Sequence, residues 1–127
     1  MTADILLVDD NAVQALTRRS ILLRTGRQVA VAADAEKALE MLKDAALLKS
    51  VGLVITDHSM PGMNGPEFVT RLREALPTVP VVVLSGYPDV EGEYDGMNVL
   101  FRMKPLAPDQ LMALAQELLR PPLTRTA

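Results

Sequence analysis

Short runs rich in apolar and β-branched residues recur along this chain, and longer segments of helical periodicity separate them. The runs occupy residues 5–8, 29–32, 53–56 and 81–84, and a fifth begins at residue 99. A run with no polar face is typical of a strand buried on both sides, and strands that alternate with helices favour right-handed crossovers and a parallel sheet. We therefore predict an α/β protein with a three-layer, doubly wound, flavodoxin-like fold. Its five-stranded parallel sheet would have the order 2-1-3-4-5 and be flanked by five helices.

The helical segments between the runs differ in pattern. The first is predicted to turn Arg18 and Arg19 outward and to bury the face that carries Val13, Leu16, Ser20 and Leu23. The second is predicted to begin at a cap, Asp34, and to keep one apolar face as far as Ala46. Before the fifth strand, prolines and glycines interrupt residues 86–98, so we expect the fourth helix to be short or irregular.

The length and composition of the chain exclude several kinds of site. Its 127 residues suit one domain, and the absence of cysteine rules out a disulfide framework, a thiolate zinc site and a thiol nucleophile. A net charge of −3 gives no excess of positive charge for binding nucleic acid. No apolar run reaches the roughly 18 residues that a membrane span requires. We expect a soluble, cytoplasmic domain over residues 1–119, followed by a disordered tail, 120–127, where two prolines prevent a helix.

Polar side chains stand where the predicted strands end. They are Asp9 and Asp10 after the first strand, Asp57 after the third, Ser85 after the fourth and Lys104 after the fifth. In doubly wound folds the carboxyl ends of the strands form the ligand site, so we expect these side chains to meet. Three carboxylates repel one another unless a cation joins them, and oxygen ligands alone favour Mg²⁺. With a divalent ion and one lysine their charges sum to zero, which suits the acceptance of a phosphoryl group.

Each of these residues also has an ordinary structural interpretation. An aspartate after a strand often caps a turn or a helix, a Ser-Gly pair often forms a turn, and a lysine before proline is often a solvated loop residue. His58, beside Asp57, is interpreted as a partly exposed loop residue rather than a phosphorelay histidine. The structural interpretations leave unexplained why four strand ends carry such residues together.

Four motifs in order make the chain resemble a response-regulator receiver domain, the phosphoacceptor module of two-component and phosphorelay signalling. The motifs are Leu6-Leu7-Val8-Asp9-Asp10, residues 56–65, Leu84-Ser85-Gly86 and Phe101-Arg102-Met103-Lys104-Pro105. Each motif is a weak signal alone, but their order at successive strand ends is specific. The resemblance covers residues 4–119, and the Ser-Gly-Tyr-Pro sequence at 85–88 is similar to receivers of hybrid sensor kinases as much as to free-standing ones.

The resemblance implies an acceptor and a metal site. Asp57 would take a phosphoryl group from a phosphohistidine donor. Asp10 would bind Mg²⁺ directly, Asp9 would hold it mainly through water, and the backbone carbonyl of Ser59 would supply a further metal oxygen. Mn²⁺ would be a substitute for Mg²⁺.

The resemblance also implies residues that bind the phosphoryl group and respond to it. Lys104 would pair with the acceptor and then with phosphoryl oxygens, and its bond to Pro105 would be cis. The Ser85 hydroxyl would move to bond the phosphoryl group, with Gly86 leaving room beside it. Phe101 would be the aromatic switch residue, and without a phenolic hydroxyl it would act through packing alone.

Two further expectations concern access and assembly. The resemblance implies that Ser59 and Tyr87 stand near the entrance to the acceptor, and we hypothesise that Tyr87 shields the acyl phosphate from hydrolysis. The glycine-interrupted residues 87–98 correspond to a region that many receivers use for dimerisation, so the chain is expected to be a monomer or a weak dimer.

We favour a signalling module that takes a phosphoryl group on Asp57 in the presence of Mg²⁺. We expect no enzymatic activity beyond self-phosphorylation and self-dephosphorylation. Its donor would be a sensor histidine kinase or a histidine phosphotransfer protein, and its output would go to an unidentified protein, not to nucleic acid or a membrane. One alternative is a receiver-like scaffold that is never phosphorylated. The other is an Asp-nucleophile phosphatase, which would want a second aspartate two residues after the first, whereas Asp9 and Asp10 are adjacent.

Overall fold

Five parallel strands form one sheet in the computed structural model, which describes residues 1–119. The strands are β1 (Ile5–Val8), β2 (Val29–Ala32), β3 (Leu53–Asp57), β4 (Val81–Ser85) and β5 (Leu100–Met103). Their order is β2-β1-β3-β4-β5, and every neighbouring pair is parallel. This confirms the predicted sheet and its order. The tail predicted over 120–127 lies outside the described residues.

Helices cover both faces of the sheet because successive side chains along each strand point to opposite sides. On one face, α1 (Ala12–Leu23) and α5 (Pro108–Leu119) pack on a core that includes Leu7 of β1 and Ile55 of β3. The other face holds α2 (Ala35–Met41), α3 (Ala45–Ser50), α4 (Gly65–Ala75) and a 3₁₀ helix over Pro88–Tyr94. The described residues contain no helix with the length and apolar character that a membrane crossing needs.

The second predicted helix is two helices, which corrects the continuous face expected from Asp34 to Ala46. The Asp34 side chain caps α2 by accepting a hydrogen bond from the Lys37 backbone N–H. Asp44 interrupts the helix because its carboxylate accepts from the N–H groups of Ala46 and Leu47 and so begins α3. As a result Leu47 is buried, while Ala46 is exposed.

The buried face of α1 also differs from the predicted one. Val13 and Leu16 are 73% and 65% exposed, whereas Ala15 and Leu22 are buried. Arg18, which was expected to face outward, lies on the buried side, three residues after Ala15 and four before Leu22. A helix turned in this way brings a guanidinium group to the end of the sheet, where the polar strand ends lie.

The segment before β5 is short and irregular, as predicted. Residues Pro88–Tyr94 form a 3₁₀ helix whose last residue, Tyr94, is only 4% exposed. Prolines and glycines weaken an α-helix here, and Tyr94 is the residue of this helix that enters the core.

Candidate functional site

Asp9, Asp10 and Asp57 meet at the carboxyl end of the sheet. Strands β1 and β3 are neighbours, and their register pairs Val8 with Thr56, so the next residues lie at the same level. One carboxylate oxygen from each of the three aspartates lies within 4.8 Å of the other two. Asp9 and Asp57 are each 2% exposed, while Asp10 faces solvent. The cluster therefore has a buried wall and an open side.

Lys104 comes to this cluster from β5. The Lys104 backbone N–H donates to the Ser85 carbonyl at 2.8 Å, which continues the pairing of β4 with β5 by one residue. The Lys104 ammonium nitrogen, Nζ, lies 2.9 Å from Asp57 Oδ1. The peptide bond that follows, Lys104–Pro105, is cis.

Arg18 is a second cation in the same place, and sequence reasoning missed it. Its Nη1 donates to Asp9 Oδ2 at 2.7 Å and to Asp57 Oδ1 at 2.9 Å. The Arg18 side chain is only 16% exposed, so this is a partly buried ion pair and not a loose surface contact. The spacing of Ala15, Arg18 and Leu22 along α1 is the signal that could have placed Arg18 inward.

The carboxylates carry an electrostatic cost that these cations offset. Burial, together with the nearby Asp57 carboxylate, raises the pKa of Asp9 from 3.8 to about 6. Opposing this rise, the Asn11 backbone N–H donates to Asp9 Oδ1 at 2.9 Å, and the charge of Arg18 also lowers the value. The cluster is therefore arranged to accept positive charge.

Ser85 and its neighbours form a separate part of the site. The Ser85 side chain is buried, and its hydroxyl is engaged with Tyr87: it accepts from the Tyr87 N–H at 2.9 Å and donates to the Tyr87 carbonyl at 3.1 Å. The space beside Gly86 is open, since no atom lies within 4 Å of the position a Cβ would occupy. The Tyr87 side chain is 62% exposed. The Ser85 hydroxyl is thus held by the backbone of Tyr87, two residues further along the same loop.

The loop after β3 borders an open pocket of about 470 Å³. Ser59 and Asp10 both line this pocket, which places the two residues on the exposed side of the acidic cluster. His58 also lines it and is half-buried, in keeping with a loop position.

A group of aromatic side chains lies against the other side of β3, and no role was predicted for its central residue, Tyr94. The Tyr94 hydroxyl lies 2.6 Å from His58 Nδ1, and its ring is 6.3 Å from that of Phe101, centroid to centroid. A Cβ added at Gly65 would overlap the Tyr94 hydroxyl, so the present position of Tyr94 favours a glycine at the start of α4. Burial, with a smaller effect of the Glu93 charge, raises the pKa of Tyr94. Tyr94 therefore stays neutral and links Phe101 to the residue after Asp57.

Comparison with known proteins agrees with this fold. The chemotaxis response regulator CheY4 of Vibrio cholerae has a similar structure, with a TM-score of 0.79 and 27% identity over 93% of this chain and 99% of that one. The fold and the acidic strand ends thus define a CheY-like, flavodoxin-like protein. The family model for the response regulator receiver domain matches residues 5–116, and the chain belongs to this family.

Two curated relatives are much longer than this chain. The hydrogenase transcriptional regulatory protein HoxA of Cupriavidus necator is 32% identical over 114 residues, which are 87% of this chain and 23% of HoxA. The autoinducer 1 sensor kinase/phosphatase LuxN of Vibrio campbellii is 34% identical over 110 residues, which are 87% of this chain and 12% of LuxN. The chain thus spans only a minor part of either relative.

The donor set fits the ion that receiver domains bind. Receiver domains are signalling modules that take phosphoryl groups from histidine kinases and bind Mg²⁺ in an acidic pocket. The cluster of Asp9, Asp10 and Asp57 offers three oxygen atoms close together, the ligand type that this hard ion prefers. Two of these three residues, Asp9 and Asp57, are also the partners of Arg18, so the candidate ligands and the guanidinium group lie together.

Proposed function

We propose that this chain accepts a phosphoryl group on Asp57 from a phosphohistidine donor and passes the signal on through a change in its surface. The observation that carries the proposal is the buried Asp57 carboxylate, which lies beside the Lys104 ammonium and within reach of two further carboxylates. A lone capping aspartate would explain neither the lysine nor the cluster. We place the receiver domain at residues 1–119.

The chemistry follows from the contacts of Asp57. Both Lys104 and Arg18 bind Oδ1, so Oδ2 is the oxygen from which we expect attack on phosphorus. The new bond joins Oδ2 to phosphorus as the phosphorus–nitrogen bond of the donor histidine breaks, and the electron pair returns to the imidazole. Lys104 would bind the transferred oxygens, since phosphoryl transfer depends on position and charge more than on acid–base catalysis.

Four groups of the chain would hold Mg²⁺: the carboxylates of Asp9, Asp10 and Asp57 and the backbone carbonyl of Ser59. When bound, the ion neutralises the negative charge that collects on the phosphoryl oxygens. Mn²⁺, which also prefers oxygen ligands, would substitute for it.

The response would begin at Ser85. To reach a phosphoryl group on Asp57, its hydroxyl has to give up both hydrogen bonds to Tyr87. A charge-assisted hydrogen bond to a phosphoryl oxygen is stronger than either neutral bond, which favours this exchange. Phe101, on the neighbouring strand and half-buried, would then move through packing.

Release of Tyr87 would change the loop that leads into the 3₁₀ helix. The exposed Tyr87 ring would cover the acyl phosphate and slow its hydrolysis, with Ser59 at the opposite side of the entrance.

The donor would be a sensor histidine kinase or a histidine phosphotransfer protein, and the output partner would be another protein. LuxN, whose name describes a sensor kinase/phosphatase, supports a hybrid-kinase context as much as a free-standing one. We propose a cytoplasmic monomer or weak dimer that binds neither nucleic acid nor membrane and that is no enzyme beyond its own phosphorylation and dephosphorylation. A scaffold that is never phosphorylated would be expected to have lost one of these residues.

Acetyl phosphate with Mg²⁺ tests the proposal, with intact-mass spectrometry as the measurement. We expect the wild-type chain to gain one phosphoryl group and Asp57→Asn to gain none, and a chelator should abolish the wild-type reaction. Equal labelling of Asp57→Asn, or no labelling of a wild-type protein that binds Mg²⁺, would contradict the assignment.

A further inference from the structure

Arg18 occupies the place where a cation would be expected. Its Nη1 lies between Asp9 Oδ2, at 2.7 Å, and Asp57 Oδ1, at 2.9 Å. These are two of the three carboxylates that come within reach of one ion. A single guanidinium nitrogen thus bridges the buried wall of the acidic cluster.

The burial of the ion pairs makes this contact strong. The side chain of Asp9 is fully buried, that of Asp57 is 2% exposed and that of Arg18 is 16% exposed. Buried carboxylates without a partner are costly, so the chain needs a positive charge here even when it holds no ion. Arg18 supplies that charge from α1, an element that contributes no other charged group to the cluster among the described residues.

Charge balance favours the exchange of Arg18 for a divalent ion over the binding of both. With Arg18 in place, the three carboxylates and Lys104 leave the cluster at a net charge of −1. A divalent ion added to this arrangement would bring the net charge to +1 and would face a guanidinium group on its own ligands. Replacement of Arg18 by the ion brings the net charge to zero.

We propose that Arg18 is a resident counter-ion that competes with the divalent cation for Asp9 and Asp57 and has to leave before the ion binds. The proposal depends on the proposed function only for the identity of the ion. It makes Arg18 a positioning residue that sets the Mg²⁺ concentration at which the acceptor becomes competent. Mg²⁺ binding would then be coupled to a movement of the Arg18 side chain away from the end of the sheet.

Isothermal titration calorimetry with MgCl₂, on the full chain and without any phosphodonor, tests the competition. Arg18→Ala should bind Mg²⁺ at least fivefold more tightly than the wild type. Arg19→Ala removes the same charge from the next, exposed residue of α1 and should change the dissociation constant by less than twofold. Arg18→Gln, which keeps a hydrogen-bonding side chain, should show the same tightening if Arg18→Ala folds poorly.

Side-chain NMR of the arginines provides an independent readout. In the metal-free protein the Arg18 guanidinium should show restricted rotation, with the signal assigned by its loss in Arg18→Gln, and saturating Mg²⁺ should restore free rotation. An unchanged Arg18 signal at saturation would overturn the proposal, as would Mg²⁺ affinity that is unchanged or weaker in both Arg18 variants.

The outcomes separate this proposal from the proposed function. If neither the wild type nor the Arg18 variants bind Mg²⁺, the competition is refuted along with the magnesium site. If Mg²⁺ binds as expected but acetyl phosphate leaves Asp57 unlabelled, the counter-ion role stands and the phosphoacceptor role fails.

Discussion

Asp57 and His58 are consecutive residues at the end of β3, yet they enter regions of opposite chemistry. Asp57 belongs to a charged pocket formed by Asp9, Asp10, Asp57, Lys104 and Arg18. His58 belongs to an aromatic cluster formed by His58, Gly65, Tyr94 and Phe101.

The two regions are stabilised in different ways. Ion pairs stabilise the charged pocket, and under the proposed competition its state would depend on which cations are present. Close packing and the contact between Tyr94 and His58 hold the aromatic cluster. The comparison teaches that consecutive residues at one strand end can be stabilised by charge on one side of the sheet and by packing on the other.

The largest effect is expected where packing alone holds the structure. Tyr94→Ala should lower the free energy of unfolding by about 3–5 kcal/mol, because it removes a buried aromatic ring from the core. Tyr94→Phe is the matched control, which keeps the ring and loses the bond to His58, and should cost only about 0.5–1.5 kcal/mol. Urea unfolding gives both values. A similar loss in both variants would mean that the hydroxyl, not packing, stabilises the cluster.

The charged pocket should make the stability of the protein depend on pH. The pKa of Asp9 is raised in the folded protein, to about 6 from 3.8, so the folded state binds a proton more tightly than the unfolded state does. Stability of the chelator-treated protein should therefore fall as pH rises through the window between these values. The fall should be at most about 3 kcal/mol, at 1.36 kcal/mol per pKa unit.

Urea unfolding at pH values from 4 to 7 measures this slope, and Asp9→Asn is the control because it cannot titrate. The fall in stability with rising pH should be smaller in Asp9→Asn than in the wild type. Parallel curves for the two proteins would show that the buried carboxylate of Asp9 does not carry the pH dependence.

A smaller loss of stability is expected from a change at Gly65, which lies against Tyr94. Gly65→Ala should destabilise by about 1–3 kcal/mol, since the new Cβ would overlap the Tyr94 hydroxyl and force it to move. In a Tyr94→Phe background the same change should cost less, because the overlapping atom is gone. Strict additivity in this double-mutant cycle would refute the contact.

Much of the fold could be predicted because it depends on local patterns. Uniformly apolar runs gave the strands, and prolines and glycines gave the irregular fourth helix. Asp34 was predicted as a cap because a side chain of this type satisfies backbone N–H groups near it in sequence. Asp44 does the same, and treating residues 35–46 as one apolar face overlooked it.

Arg18 and Tyr94 could not be placed correctly, for a common reason. An arginine in a helical pattern is predicted to face solvent because its charge is costly to bury. Burial of Arg18 becomes favourable only because Asp9 and Asp57 pair with it in the folded protein. Tyr94 sits in a segment with little periodicity, and its position depends on contacts with His58 and Phe101.

The sequence by itself determined the parallel sheet, the residues at its strand ends and the family to which the chain belongs. These follow from hydrophobic patterns and from motifs that are short and contiguous. Tertiary structure decided which cation lies on Asp9 and Asp57 and which side chain connects His58 to Phe101. Both depend on distances between residues far apart in the chain, because the free energy of burying a charge or a ring is set by neighbours that only folding supplies.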